Sequence, residues 1–209
     1  MPSQARTPSQ AKEALILDAA RKRFAAYGYA KTTMDEIAED VGMAKASLYY
    51  YYKAKEDVFL SVIRREQSVF TSAMKDIMAR SASAAEKLRA YAEVRVDLTE
   101  RLLNINRLSQ REHEDVHSIF HEAFQSFDEH EVACLVKILT EGVKKREFRM
   151  AHVKPTALLI QHVLQGLRLR LFKSRTMASP SDSDVNREWR CESLLFVDVL
   201  LRALVAIPE

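Results

Sequence analysis

The sequence predicts an all-α fold of about nine helices, arranged as a small N-terminal three-helix unit and a larger helical C-terminal domain. Three observations lead there. The 209 residues include only 4 glycines and 5 prolines, too few for the many tight turns of a β-sandwich or a dinucleotide-binding α/β fold, where glycine supplies the unusual backbone angles. Apolar residues recur at spacings of three and four through most of the chain, the period of one helix face. No stretch reads as a strand. With 47% hydrophobic and 29% charged residues the composition is globular, and a chain of this length buries a core without a disulfide or metal staple.

Residues 1–9 are polar, hold two prolines and read as a loose tail. From Gln10 the pattern turns helical, with Ile16, Ala20, Phe24 and Tyr27 on one face, and Gly28 suits the position after a helix end. Thr33 followed three residues later by Glu36 makes a capping box for a helix starting near Met34. That helix turns Ile37, Ala38 and Val41 inward and stops at Gly42. A second short helix, Lys45 to Tyr52, follows after two residues. A long amphipathic helix, 55–80, carries Phe59, Val62, Ile63, Val69, Phe70, Met74 and Ile77. Further helices are expected over 83–103, 114–127, 128–145, 155–174 and 185–206, with 105–111 a short helix or linker and 175–184 an exposed loop. Pro155 falls in a first helical turn, where its missing N–H costs nothing.

Residues 33–52 are organised as a helix-turn-helix: a capped short helix, a turn containing glycine, and a second short helix. The second helix of such a motif enters the major groove by its N-terminal end. Here that end is small or polar: Ala44, Lys45, Ala46 and Ser47. Four tyrosines follow, Tyr49 to Tyr52. Adjacent helical positions are about 100° apart, so the four rings cannot share a face and some must be exposed. An exposed tyrosine hydroxyl is a common phosphate donor.

The run Thr33 to Phe59, with the IAEDVG segment at 37–42, Leu48-Tyr49 and Lys55 at its spacings, resembles the DNA-binding signature of the TetR family of bacterial transcriptional repressors. Ile16, Ala20, Phe24, Gly28 and Tyr29 also match that family's first helix and following turn, so the likeness covers residues 13–62. It implies that Thr33 meets a phosphate, that Lys45, Ala46, Ser47 and Tyr50 touch base edges or nearby backbone, and that Tyr49, Tyr51 and Lys55 meet phosphates. Ile37, Ala38, Val41, Leu48 and Tyr52 then form the module's core, with Tyr52 where the family usually has phenylalanine. Ala44 and Ala54 depart from the pattern, standing where a capping side chain is usual. A lost cap costs on the order of 1 kcal/mol, and a more mobile reading helix is the expectation.

The division implied is a DNA-binding domain over 10–55, a connecting helix over 55–80, and an effector-binding and dimerisation domain over 56–209. Net charge is only +3, so any basic face is local. Arg6, Lys12, Lys22, Arg23, Lys31, Lys45, Lys53 and Lys55 gather around the motif, with Asp35, Glu36, Glu39 and Asp40 on the helix that stays outside the groove. The last two helices, 155–174 and 185–206, are apolar around much of their circumference. One stripe suffices for a surface helix, so these are either central core helices or a homodimer face.

For a small-molecule effector, Tyr91, Phe120, Phe124 and Phe127 offer apolar surface and Arg95, Asn104, Gln161, His162 and Gln165 polar handles. Packing in the core is the competing use of each aromatic. His113, His117 and His121 are spaced along one helix face with Glu114, Asp115 and Glu122 nearby, a workable metal-ligand spacing or a solvated polar face. No resident metal or cofactor is expected. No GxGxxG, P-loop, GxSxG or HExxH occurs, so no catalytic residues are assigned. Cys134 and Cys191 are sparse enough to be reduced thiols. The N-terminus lacks an apolar leader, and the greasiest stretch, 194–207, contains Asp198 and Arg202 and is too short to span a bilayer. The expectation is therefore a cytoplasmic, dimeric regulator of double-stranded operator DNA. The alternatives are a helical small-molecule carrier or a metal sensor with a weakened DNA module.

Overall fold

The structure, a computed structural model, describes residues 7–101, 110–177 and 183–205, with side chains over 7–98, 125–168 and 187–205. Eight helices make up these residues: α1 (Pro8–Lys31), α2 (Met34–Val41), α3 (Lys45–Tyr51), α4 (Lys55–Ala79), α5 (Ala84–Arg101), α6 (Gln110–Lys144), α7 (Val153–Met177) and α8 (Ser183–Leu204). The all-α expectation holds. The helices expected over 114–127 and 128–145 are one continuous α6, because no glycine or proline interrupts the chain where a break was placed. The first helix begins earlier than expected, at Pro8 and not Gln10. Thr7 caps α1 in a reciprocal box with Gln10, and Pro8 occupies the first helical position.

The chain divides into two units, one formed by Met1–Gln67 with Leu103–Ala123, the other by Ser68–Leu102 with Phe124–Glu209. In the first unit, Ile16, Leu17, Ala20, Phe24 and Ala25 of α1 are buried together with Met34, Ile37 and Ala38 of α2 and Leu48 of α3. Val58, Phe59, Val62 and Ile63 are the buried residues of the first part of α4. Phe24 and Phe59 meet edge to face at 4.8 Å, and Tyr29 lies 5.1 Å from Phe59. Tyr27, expected on the buried face, is exposed instead, with the Arg23 guanidinium 5.6 Å from its ring centre. Gly28 is why the helix fails there: its φ of 81° and ψ of 168° break the helical geometry in a region that only glycine enters readily.

The second unit is built around Phe70, Met74 and Ile77 of α4, Leu88, Tyr91 and Ala92 of α5, Leu135, Ile138 and Leu139 of α6, Ala157, Ile160 and Leu164 of α7, and Val197, Leu201 and Leu204 of α8. Val69, expected inward, is exposed. Gly142 is required by a close approach: a Cβ there would lie 2.2 Å from the Phe148 ring and 2.9 Å from Ala84 Cβ. The turn after α6 is pinned to the end of α8 by an isolated antiparallel bridge between Phe148 and Val205, with Arg149 N–H donating to the Leu204 carbonyl at 2.8 Å. No other extended pairing occurs among the described residues.

Candidate nucleic-acid interface

The α2–α3 module is shaped by its caps. The Thr33 hydroxyl accepts from Glu36 N–H at 3.3 Å, and the Glu36 carboxylate accepts from Thr33 N–H at 2.8 Å. This is the capping box expected from sequence. The two hydrogen bonds from Thr33 hold the Glu36 carboxyl below its ordinary range. Gly42 ends α2 in the left-handed region, with φ 70° and ψ 37°, and its N–H reaches the carbonyls of Ala38 and Glu39. The chain then turns into α3, whose N-cap position, Ala44, contributes no side-chain hydrogen bond. Ala54 is equally bare, yet its N–H is taken by the Asp57 carboxylate at 3.0 Å. The cap missing at α4 is thus half replaced from within the first turn, and the one missing at α3 is not.

Along α3 the side chains sort by face. Leu48 is fully buried, and Tyr52, just past the helix, is 7% exposed with its hydroxyl donating to Glu13 at 3.1 Å. Burial pushes the Tyr52 phenol up to about 12. Ala44, Lys45, Ala46 and Ser47 are all exposed, and Tyr50 is 78% exposed. Tyr49 and Tyr51 are half-buried, Tyr51 meeting Tyr50 edge to face at 5.5 Å. The run of four tyrosines therefore divides as helical geometry requires, with one ring outward, two on the flanks and one in the core.

Three of the module's cations have partners within the unit. Lys45 Nζ lies 2.7 Å from the Asp35 carboxylate and 6.0 Å from the Tyr49 ring centre. Lys55 Nζ donates to the Tyr29 carbonyl at 2.9 Å and sits 4.3 Å from the centre of that residue's ring, while the Tyr29 hydroxyl donates to Glu56 at 2.6 Å. A lysine ammonium has three donors, so each of these retains capacity for a phosphate. Arg23 is different. Its guanidinium grips Asp40 at 2.6 and 2.7 Å and reaches Glu36 at 3.1 Å. It neutralises the acidic face of α2 and is not a spare charge for DNA, a partnership that the sequence reading, which counted Arg23 with the basic cluster, missed.

Other sequence-derived candidates are placed as follows. Tyr91 and Arg95 of α5 both hydrogen-bond Glu131 of α6 in the interior of the second unit. Gln161 is buried, Gln165 half-buried and His162 exposed. Phe127 packs against Phe70 at 5.1 Å, and Phe70 meets Tyr91 at 6.5 Å. Asn104 and the side chains of Phe120, Phe124, His113, His117 and His121 lie outside the described residues. Among the described residues no group of three or more His, Cys, Asp or Glu side chains could hold a metal ion. Among them, too, no helix is long and apolar enough to cross a membrane. An open cleft lined by Arg80, Ser83, Lys87, Glu141, Lys145 and Glu147 contains none of the candidate ligand residues. Sequence reasoning also passed over Glu131, whose partners stand 36 and 40 residues away, too far for any local pattern to pair them.

A capped short helix, a glycine turn and a second helix with small and basic side chains outward define a helix-turn-helix DNA-binding transcriptional regulator. Residues 16–62 match the family described as "Bacterial regulatory proteins, tetR family". The structure of a transcriptional regulator from Cytophaga hutchinsonii ATCC 33406 is 33% identical, with a TM-score of 0.77 over 93% of this chain and 99% of that one. The chain belongs to the TetR family. Among curated relatives, the fatty acid metabolism regulator protein of Bacillus subtilis (strain 168) is 27% identical over 134 residues, 64% of this chain and 69% of that protein. Three curated relatives are spanned over between 39% and 69% of their own length. The structure of FadR from Bacillus subtilis in complex with stearoyl-CoA shares the fold, with 23% identity and a TM-score of 0.69 over 88% of this chain and 96% of that one.

Proposed function

We propose that the protein is a homodimeric repressor that reads double-stranded operator DNA through α3 and leaves it when a small-molecule effector occupies the second unit. The observation that carries the DNA reading is the sorting of α3: Leu48 fully buried on one side, and Lys45, Ala46, Ser47 and Tyr50 all outward on the other. On this reading Lys45, Ala46, Ser47 and Tyr50 meet bases or adjacent backbone. Tyr49, Tyr51, Lys55 and the start of α2 at Thr33 meet phosphates. Thr33 acts there through the N-terminal N–H groups of α2, since its own hydroxyl is committed to Glu36.

Dimerisation through α7 and α8 is supported by what those helices leave uncovered. Leu159, Leu195 and Val199 are 57%, 63% and 56% exposed, although both helices also supply the core. Two copies must place their α3 helices about 34–36 Å apart to enter successive major grooves. An effector that favours another spacing lowers DNA affinity, and DNA lowers effector affinity by the same factor. The relatives named for fatty acid metabolism make a long-chain acyl-CoA the first effector to try.

The test is binding of the purified protein to a duplex selected from a random-sequence pool, titrated against salt, with unselected duplex as control. A site-reading protein binds the selected duplex more tightly, with log affinity falling linearly in log salt. Equal, weak binding to both duplexes would return the chain to the carrier reading. Release of the selected duplex by stearoyl-CoA, and not by CoA alone, would identify the effector class.

A further inference from the structure

Asp35 has no assigned role in reading DNA, and no cap or core requirement holds it in place. It lies in the first turn of α2 with its side chain 61% exposed, and its carboxylate is 2.7 Å from Lys45 Nζ, the first residue of α3. The partner side chain is 59% exposed. The pairing spans the glycine turn and connects the two helices at a junction whose N-cap position, Ala44, contributes no side-chain hydrogen bond. The same contact draws the Lys45 ammonium toward the Tyr49 ring and holds its charge more firmly than that of an isolated lysine.

We propose that Asp35 is a selectivity residue: its ion pair anchors the Lys45 ammonium at the leading edge of α3, where the paired cation keeps donors for a base acceptor in the groove but is held back from swinging out to arbitrary phosphates. This rests on the DNA reading proposed above. A lysine free at the start of α3 would neutralise a phosphate on any duplex it meets, which is the sequence-independent part of binding. A base edge such as guanine O6 and N7 is a site-specific acceptor that an unmatched sequence does not present. To reach a phosphate on unmatched DNA the ammonium must leave the pair, and the carboxylate then stays behind beside the phosphates and repels them. Binding to unmatched DNA carries that repulsion with no compensating base contact. An exposed ion pair is weak, so the bias it supplies is a few-fold.

The experiment uses the full-length protein and two duplexes, one selected by the wild type from a random pool and one unselected. Asp35→Asn is expected to raise affinity for the unselected duplex by about threefold to fivefold, the scale of an exposed ion pair. Affinity for the selected duplex should change by less than twofold, so the ratio between duplexes falls. The salt slope on unselected DNA should steepen by about one, the signature of one more phosphate neutralised. In a Lys45→Met background the Asp35→Asn effect on unselected DNA should drop below twofold. An unchanged ratio overturns the proposal. So does an equal rise in the two backgrounds, which would make Asp35 a plain negative charge acting without Lys45. A thermal melting midpoint for Asp35→Asn within a degree or two of wild type shows that folding is not being read; should it drop further, Asp35→Ser and Asp35→Glu replace it, the first expected to lower the ratio and the second to preserve it. If the wild type selects no duplex at all, the DNA reading itself fails, a result distinct from an unchanged ratio.

Discussion

Arg95 of α5 and Glu131 of α6 form an ion pair inside the second unit, the first 8% and the second 2% exposed. The carboxylate oxygen that receives the guanidinium also accepts the Tyr91 hydroxyl at 2.6 Å. Burial raises the Tyr91 phenol well above its ordinary value. Arg168 is nearby, its ionisation lowered to about 10 by burial and by the charge of Arg95. Glu131 thus offsets a crowded positive interior. Glu131→Gln keeps the shape and removes the charge, and should cost about 3 kcal/mol, because breaking one side of a buried pair strands the other. Tyr91→Phe removes one hydrogen bond and should cost about 1 kcal/mol. Urea unfolding of the two variants gives the comparison, and equal losses would show that charge is not what Glu131 contributes.

Arg23 and Asp40 give a pH dependence to the first unit. The guanidinium hydrogen bonds hold the Asp40 carboxyl below its ordinary range. A depressed carboxylate contributes stability that is complete above the unfolded value, near pH 3.9, and is lost as pH falls through the lower folded value. Arg23→Gln should therefore move the acid unfolding midpoint upward. Near pH 7 it should cost no more than about 1 kcal/mol, since the Asp40 side chain is about a third exposed and its charge is screened. Six of the seven tyrosines lie in this unit, so tyrosine fluorescence follows it. An acid midpoint that does not move would mean the pair is replaced by water at no cost.

What was legible in the sequence was whatever depends on local pattern. Thr33 with Glu36, and Gly42 eight residues beyond Met34, mark both ends of α2 by chemistry that acts within one turn. The alternation of Leu48, Tyr50 and Tyr52 between core and solvent follows from helical angles alone. The break expected between Phe127 and Asp128 does not exist in the continuous α6, where no glycine or proline stops a helix. Arg23–Asp40 and Arg95–Glu131 were illegible for another reason. Their members are 17 and 36 residues apart, and only the packing of separate helices brings them together.

The exposed faces of α7 and α8 yield a prediction about assembly. Cys191, Leu195 and Val199 are spaced by four residues along α8 and are all exposed, so they lie on one stripe. Leu195→Glu places a charge in the middle of that stripe. In a dimer buried there it should shift the sedimenting species from dimer to monomer at micromolar protein, because an unpaired buried charge opposes association. The helical circular dichroism should be unchanged, since Leu195 is not part of the protomer core. A variant that remains dimeric would locate the interface elsewhere.

Tyr49 and Tyr50 are adjacent, yet they should fail differently. Tyr50 projects outward from α3, whereas Tyr49 lies half-buried on the flank with Lys45 6.0 Å from its ring. A hydroxyl on the flank of a groove-entering helix faces the phosphate ridge, and phosphate contacts position the protein without carrying sequence information. Tyr49→Ala should therefore weaken binding to selected and unselected duplexes by similar factors. Tyr50→Ala removes a side chain from the outward face, where a direct base contact is worth about 1–3 kcal/mol of discrimination. It should lower the ratio between the two duplexes while leaving unselected binding nearly unchanged. Re-selection from a random pool gives the second readout: the Tyr49 variant should recover the wild-type sequence and the Tyr50 variant a degenerate one. The opposite pattern would exchange their roles and rotate α3 by about one residue's turn of 100° in the groove. Loss of all binding by both variants at unchanged helicity would instead mean that the two rings support α3 from its flank and that the bases are read by Lys45 and Ser47.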